Sequence, residues 1–167
     1  VSDAAEQPDA ARIAIDWMEA KFCATIVELE DDFSRYRISE ALMVVYKLFR
    51  DEFSSWYLEM VKPAYGQPID ATSYSATLRF FEQLTLLLHP FMPFITEELW
   101  QHIKLEGETI MLADFPKADQ TLISSEVDDA MSYIQEVITA LRNIRAEAGV
   151  APSKEVSALI KTASESE

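Results

Sequence analysis

The sequence predicts an all-α fold, an antiparallel helix bundle followed by the start of a small α/β element at the C-terminal end. Three observations predict it. The 167 residues are 49% hydrophobic and 11% aromatic, which suits one buried core. There are only three glycines, whereas all-β and phosphate-binding α/β folds use more of them in turns. Apolar residues recur at steps of three and four along most of the chain, which is the spacing of a helix face.

The first two helices follow ten small or polar residues and are separated by polar residues after Asp31 and Asp32. The second helix is predicted to be the longest and to end at Pro63, because proline disfavours helical backbone in the residue before it. Each predicted helix has a row of apolar residues along one face, called its stripe below. The stripe of the first helix comprises Ile13, Trp17, Ala20, Ala24 and Val27, widened by Phe22, Ile26 and Leu29. The second comprises Ile38, Leu42, Val45, Phe49, Phe53, Trp56 and Met60.

The third and fourth helices are delimited by capping residues and prolines. Asp70 is among several N-cap candidates for the third helix, which ends at His89 and Pro90. Pro93 is expected just inside the start of the fourth, where its missing N–H costs nothing. The third stripe comprises Tyr74, Leu78, Phe81, Leu84 or Thr85, and Leu88, and the fourth comprises Ile95, Leu99 and Ile103.

The last third of the chain contains an irregular segment and then a fifth helix. Residues 104–122 break the helical rhythm, and Thr109 to Leu112 suggest a short extended piece. The fifth helix is predicted from about Ser125, with Gly149 as the residue after its C-cap. Alternation over residues 156–160 suggests a strand. The predicted boundaries are therefore a leader at 1–10, a helix bundle at 11–149 and the truncated start of another domain at 150–167. The fifth stripe comprises Val127, Met131, Ile134, Ile138 and Leu141.

Charge and cysteine content restrict the class of protein further. The formal net charge is −15, which repels nucleic acid at long range and by itself disfavours a nucleic-acid partner. The one cysteine, Cys23, is expected to be a buried small apolar residue, and it fits a reducing, cytoplasmic location. No apolar run is long enough to span a bilayer, so no membrane partner is expected.

The sequence offers no recognisable catalytic, cofactor or metal site. Phosphate-binding loops need clustered glycines, and the three here are far apart. Cys23, His89 and His102 fall short of the four ligands of a structural zinc site, and neither histidine belongs to a Glu-x-x-His motif. Glu98 and His102 are expected to form a surface pair, and His89 to cap or pack a helix end. A metal-dependent bundle enzyme is accordingly disfavoured.

Two stretches carry candidate binding residues. Trp56 and Tyr57 are adjacent on the second helix, so they point about 100° apart and cannot both face one core seam. Glu59 and Lys62 follow within two turns, and their alternative interpretation is a simple i, i+3 ion pair. Arg142 and Arg145 share a face of the fifth helix, for which a solvated helix face is an equally good interpretation.

These two stretches, together with the sequence from Leu88 to Trp100, carry a resemblance to a known family. The sequence Leu88-His-Pro-Phe-Met-Pro-Phe-Ile-Thr-Glu-Glu-Leu-Trp100 contains the pattern His-Pro-x-x-Pro-Phe-x-x-Glu-Glu-Leu-Trp. The chain resembles the anticodon-binding helical domain of class I aminoacyl-tRNA synthetases of the valine, isoleucine and leucine group. Trp56-Tyr-Leu-Glu-x-x-Lys62 and Val150-Ala-Pro-Ser-Lys154 look most like the valine members, and isoleucine or leucine members remain the alternative.

The resemblance implies a role in gripping the anticodon stem and loop of tRNA. In such enzymes ATP and Mg²⁺ serve a separate catalytic domain, so no cofactor is implied for this chain. Tyr57, Glu59 and Lys62, next to Trp56, are then expected near the anticodon loop, and Arg142 and Arg145 near the tRNA backbone. Because the family's first bundle helix is expected upstream of Val1, the fragment alone is expected to have weak affinity for tRNA. The protein is expected to be a monomer. The competing interpretation is a helical protein-interaction module, which the acidic charge favours.

Overall fold

The computed structural model describes residues 1–2, 6–103, 107–151 and 154–159. The predicted all-α class is confirmed, because the described residues form helices and no strand. An isolated bridge pairs Ser2 with Asp70, where the Ser2 N–H donates to the Ile69 carbonyl at 3.0 Å. In chain order the α-helices are α1 (Asp9–Ser34), α2 (Ile38–Lys47), α3 (Leu58–Val61), α4 (Ala71–Leu88), α5 (Pro93–Ile103) and α6 (Ser125–Glu147).

The chain divides into two compact units, Val1–Ser125 and Glu126–Glu167. The first unit contains α1 to α5, and the second contains almost all of α6. Helix α1 begins at Asp9, within the ten residues predicted as a leader, because Pro8 accepts at its carbonyl from the N–H groups of Ala11 and Arg12. The predicted boundary between residues 149 and 150 stays a prediction.

Helix α1 supplies a large share of the core of the first unit. Its fully buried residues include Trp17, Met18, Ile26 and Leu29, each at most 1% exposed. Cys23 is buried as predicted.

The predicted apolar face is confirmed in part. Trp17 and Ala20 are buried, as are the residues predicted to widen the face, Phe22, Ile26 and Leu29. Ile13, Ala24 and Val27 are exposed. The apolar residues of α1 are spaced so that steps of three and four fit two neighbouring faces of the helix. The face with the larger side chains packs in the core.

The second predicted helix runs from Ile38 to Val61, but its middle third is not α-helical. Leu48–Tyr57 forms a π-helix, in which each N–H bonds to a carbonyl five residues back. The hydroxyls of Ser54 and Ser55 follow the same spacing, donating to the carbonyls of Phe49 at 2.8 Å and Arg50 at 2.9 Å. Pro63 ends the helix as predicted, and Lys62 already has extended backbone.

The π-helix changes which side chains reach the core. Buried positions follow the order Val45, Leu48, Phe53, Tyr57 and Val61, with a step of five between Leu48 and Phe53. The predicted stripe, which continued at steps of three and four to Trp56 and Met60, is therefore wrong beyond Phe53. It is wrong at the other end too, because Ile38 is 52% exposed.

A tight turn joins α1 to α2 and is closed by a Schellman motif. The Tyr36 N–H donates to the Phe33 carbonyl at 3.1 Å, and the Arg37 N–H donates to the Asp32 carbonyl at 2.8 Å. Tyr36 occupies the left-handed position of this motif with φ of +58°, where glycine is the usual residue. The Arg37 guanidinium forms ion pairs across this turn, at 2.6 Å from Asp31 and 2.9 Å from the buried carboxylate of Asp32.

Capping residues position α4 and α5 as the sequence predicted. The Asp70 carboxylate accepts from the Ser73 N–H at 2.8 Å, and α5 begins at Pro93. The stripes differ from the predicted ones, since Tyr74 and Ile95 are 41% and 52% exposed. The buried residues of the two helices are Ser73, Ala76, Phe80, Leu84, Thr85 and Leu87 on α4, and Thr96 and Trp100 on α5.

The segment after α5 forms two short 3₁₀ turns, Ile110–Leu112 and Gln120–Leu122. The extended piece predicted at Thr109 to Leu112 is therefore wrong. The N–H groups of Ile110 and Met111 bond to side-chain oxygens of Glu97 and Thr109, which favours a turn.

The second unit contains α6 and the residues that follow it. Its start at Ser125 and the role of Gly149 are confirmed: Gly149 has φ of +64°, and the Val150 N–H donates to the Arg145 carbonyl at 3.0 Å. The strand predicted at 156–160 is not formed over 156–159, since no neighbouring strand offers a ladder in the described residues. Residues 152, 153 and 160 of the predicted C-terminal features lie outside the described part of the chain.

Candidate nucleic-acid interface

The stretch from Trp56 to Lys62 lies at the C-terminal end of the long helix, where π-helix gives way to α3. Glu59 and Lys62 are both exposed, and their side chains pair at 3.3 Å between Nζ and Oε1. The alternative ion-pair interpretation is thus realised. An exposed pair of this kind contributes at most about 1 kcal/mol, so a ligand can separate it at little cost. Trp56 is partly buried.

Tyr57 is a core residue, in contrast to its neighbours. It is 0% exposed, its ring stacks on Phe53 at 5.4 Å, and it meets the edge of Phe80 at 5.2 Å. Its hydroxyl lies 3.0 Å from the Thr77 hydroxyl, which itself donates to the Ser73 carbonyl at 2.7 Å. Tyr57 is therefore the donor, and burial raises the pKa of its phenol. A side chain without exposed surface cannot stack on a base, so the prediction for Tyr57 needs correction.

Arg142 and Arg145 lie on α6, in the second unit. Arg142 is exposed. Arg145 is partly buried, and its Nη2 donates to the carbonyls of Ala151 and Lys154, both at 2.9 Å. Arg145 thus ties the segment after α6 back to the helix.

The most specific family motif is largely structural. His89, at the end of α4, bonds through Nδ1 to the hydroxyl of buried Thr96 on α5 at 2.7 Å, so its predicted capping or packing role is confirmed. Trp100 is 3% exposed. Glu98 and His102 form the expected exposed surface pair at 3.8 Å. The His89–Thr96 bond holds the α4–α5 corner together.

Glu97 links α5 to the segment that follows it. Its carboxylate accepts from the Thr109 hydroxyl at 2.7 Å, from the Ile110 N–H at 3.2 Å and from the Gln101 amide at 2.6 Å. These donors, first of all Thr109, hold the pKa of Glu97 below its ordinary value of 4.5. Glu97 thus serves as the anion at the start of the 3₁₀ turn Ile110–Leu112.

We expect Glu97→Gln to weaken this link without unfolding the unit. Because the pKa is lowered in the folded state, the stabilisation is present above the ordinary pKa and is lost as the pH falls through the lowered one. Hydrogen exchange of the Ile110 amide should become faster in Glu97→Gln at pH 7. The protection factor of this amide, which corrects for the slower intrinsic exchange in acid, should also fall in the parent protein as the pH falls below 4.5. Glu98→Gln is the control, and equal exchange in both variants would contradict the assignment.

Sequence reasoning overlooked the charge distribution around the α1–α2 turn. Residues 31–52 contain four cationic side chains and five carboxylates, and three of the cations, Arg35, Arg37 and Arg50, lie within 4.0 Å of Asp31, Asp32 or Asp51. Tyr36 and Tyr46, on the same segment, are 88% and 43% exposed.

Within the described ranges, no three of the residues histidine, cysteine, aspartate and glutamate gather in a way that could hold a metal ion. In the same part of the chain, every helix is too short or too polar to cross a bilayer.

Comparisons with known proteins identify the family that this chain resembles. Residues 16–160 match the family model described as the anticodon-binding domain of tRNA ligase. The valine–tRNA ligase of Parabacteroides distasonis is 52% identical over 93% of this chain and 18% of its own length. That of Phocaeicola vulgatus is 54% identical over 87% of the chain and 17% of its own length. The Fusobacterium nucleatum enzyme is 38% identical over 90% and 18%. The chain therefore spans less than a fifth of these relatives, and it belongs to the anticodon-binding domain family of tRNA ligases.

Proposed function

We propose that the chain is the part of a valine–tRNA ligase that recognises the anticodon stem and loop of its tRNA. The observation that carries this proposal is the identity of 52% to a valine–tRNA ligase over 93% of the chain. The relatives named above are all valine–tRNA ligases, which favours the valine assignment over the isoleucine and leucine alternatives.

In this proposal the chain itself catalyses no step of the reaction, and other parts of the ligase do so. In the proposed ligase, attachment of valine to tRNA with ATP and Mg²⁺ belongs to the parts of the relatives that the chain does not match. The contacts of the described residues fit this division, since His89 and Thr96 hold the α4–α5 corner and Glu97 links α5 to the segment after it. We further propose a cytoplasmic ligase that acts as a monomer.

The tRNA contact is proposed at the end of the long helix, without Tyr57. Glu59 can accept a hydrogen bond from a base edge and Lys62 can meet a phosphate, once their exposed pair opens. Trp56 borders this surface from the preceding turn. On α6, exposed Arg142 and partly buried Arg145 are the two candidates for phosphate contacts.

We expect Glu59→Ala in the intact ligase to lower kcat/KM for tRNA charging at least about ten-fold, which corresponds to about 1.4 kcal/mol. The reason is the loss of one acceptor for a base edge. Valine-dependent ATP–pyrophosphate exchange without tRNA should stay unchanged and serves as the folding control.

Glu98→Ala is the matched variant, because Glu98 is also an exposed glutamate in a weak helical pair. It should charge tRNA like the parent enzyme. Normal charging by Glu59→Ala would remove Glu59 from the proposed contact. Failure of the intact ligase to charge a valine tRNA at all would overturn the proposed function.

A further inference from the structure

Helices α1 and α4 run in the same direction through the first unit. In the first half of each helix, Glu19 of α1 pairs with Arg79 of α4. Further along both, the rings of Phe33 and Phe91 stack at 6.0 Å, one near the end of α1 and the other just beyond α4. Both helices therefore begin at one end of the unit and finish at the other.

The candidate tRNA contact lies at the end where α1 and α4 begin. The long helix runs opposite to α4, since the Phe53 ring lies 6.3 Å from Phe81, whereas the Tyr57 hydroxyl, one turn later, bonds to Thr77. Lys62 therefore lies toward the start of α4. Helix α4 has 18 residues and is about 27 Å long. The corner between α4 and α5 is thus at the opposite end of the unit from the candidate contact.

This corner, residues 91–95, is an exposed group of apolar side chains and is called the apolar corner below. Its sequence is Phe-Met-Pro-Phe-Ile, and residues 83–96 contain no Asp, Glu, Lys or Arg. Met92, Phe94 and Ile95 are 44%, 91% and 52% exposed. Soluble proteins expose apolar side chains singly as a matter of course, whereas a contiguous group of them is typical of an interaction site.

The backbone of the apolar corner is held in one conformation by hydrogen bonds. The N–H groups of Phe91 and Met92 both donate to the Leu88 carbonyl at 3.0 Å, and the N–H of buried Thr96 donates to the Met92 carbonyl at 3.2 Å. The Thr96 hydroxyl lies 2.7 Å from Nδ1 of His89. The exposed side chains are thus presented on an ordered backbone, which lowers the entropic cost of docking.

The charges around the apolar corner select a protein partner over RNA. Those nearest in the sequence are three carboxylates, Glu82, Glu97 and Glu98. Carboxylates repel phosphates, and residues 83–96 offer no Lys or Arg to bind one. On the α1 side, Asp31 and Arg35 form an exposed ion pair at 2.8 Å. An apolar centre with a polar rim is typical of a protein–protein interface.

We propose that the apolar corner docks on a hydrophobic surface of the part of the ligase that lies outside this chain. The inference rests on the proposed function. A partner of this kind is large, since the chain covers 18% of the length of its Parabacteroides distasonis relative. Docking there fixes the distance between that partner and the candidate tRNA contact, because α4, about 27 Å long, separates the two ends of the unit.

Methionine oxidation by dilute hydrogen peroxide, read by mass spectrometry without tRNA, tests the docking directly. Met92 should be oxidised in the 167-residue chain like other exposed methionines, and at least about ten-fold more slowly in the intact ligase. Met111, which is 77% exposed in the same unit, is the control. Its oxidation rates in the two proteins should agree within about two-fold.

Phe94→Glu places a carboxylate in the proposed contact, and Met111→Glu is the matched variant. In the intact ligase, Phe94→Glu should restore the fast oxidation of Met92 and lower kcat/KM for tRNA charging at least about ten-fold, because a buried unpaired charge opposes docking. Met111→Glu should change neither. Both variants should keep the urea unfolding midpoint of the 167-residue chain, since the two replaced side chains are 91% and 77% exposed.

The outcomes distinguish this inference from the proposed function. Equal oxidation of Met92 in both proteins, or equal protection of Met92 and Met111, would overturn the docking. Protection that grows with the concentration of the 167-residue chain alone would assign the corner to a second copy, and protection that needs added tRNA would assign it to RNA. Either result overturns the inference. The proposed function is tested separately, by tRNA charging with the parent ligase.

Discussion

Replacing Tyr57 by alanine should lower the free energy of unfolding of the first unit by about 3–5 kcal/mol, because it removes a fully buried ring from an aromatic core. The lost ring contacts Phe53 and Phe80, so the cavity would open between the long helix and α4. The free energy of unfolding of a domain is about 5–15 kcal/mol, so this single substitution would remove a large fraction of it. Urea unfolding of the 167-residue chain, followed by circular dichroism, measures it.

Two variants separate the ring from its hydroxyl and from its neighbour. Tyr57→Phe should cost about 1 kcal/mol, the usual contribution of one hydrogen bond. Trp56→Ala should cost less than Tyr57→Ala, because Trp56 is only partly buried. Since burial raises the pKa of Tyr57 above its ordinary value of 10.0, the parent should also lose stability as the pH rises above 10, and Tyr57→Phe should lose less. A greater cost for Trp56→Ala would contradict the assigned register.

The second large effect is expected at the α1–α2 turn, where Arg37→Ala should lower the free energy of unfolding by about 2–3 kcal/mol. The change leaves the Asp32 carboxylate, only 4% exposed, without its ion-pair partner at 2.9 Å. This expected loss is smaller than is usual for breaking a fully buried ion pair, because the Arg37 side chain is itself 40% exposed. Chemical denaturation at pH 7 measures the difference.

Arg35→Ala is the matched control for this prediction. Arg35 pairs with Asp31 at 2.8 Å, and its side chain is 63% exposed, so its loss should cost less than about 1 kcal/mol. Adding Asp32→Asn to Arg37→Ala should recover part of the lost stability, because the buried charge is removed along with its partner. Equal costs for the two arginine variants would show that the burial of Asp32 has no energetic weight.

Helix locations could be predicted from the sequence because local chemistry determines helix ends. Asp70, Pro93 and Gly149 act within one or two turns of their own positions, through bonds that any such helix end needs. The core faces were harder to predict. In α1 the apolar residues were spaced to fit two adjacent faces, and only the packing of the other helices selects between them.

The candidate binding residues show the same limit. The adjacency of Trp56 and Tyr57 correctly implied that only one of them faces the core, but the pattern of steps selected the wrong one. The reason is the π-helix, which no spacing rule anticipates, since its composition differs little from that of an ordinary helix. The 3₁₀ turn at Ile110 was equally hidden, because the carboxylate that favours it lies thirteen residues earlier, on α5.

The π-helix has a consequence for engineering this domain. Deleting one residue between Leu48 and Phe53 would shorten the step between these two core residues from five to four, which is the spacing of an α-helix. The segment could then become α-helical while the rings of residues 53 and 57 still face the core and Glu59 and Lys62 keep their side of the helix. Chimeras that exchange helices between related ligases should therefore tolerate a one-residue difference at this place, whereas a deletion between Phe53 and Val61, where the steps are already four, would turn core residues toward solvent.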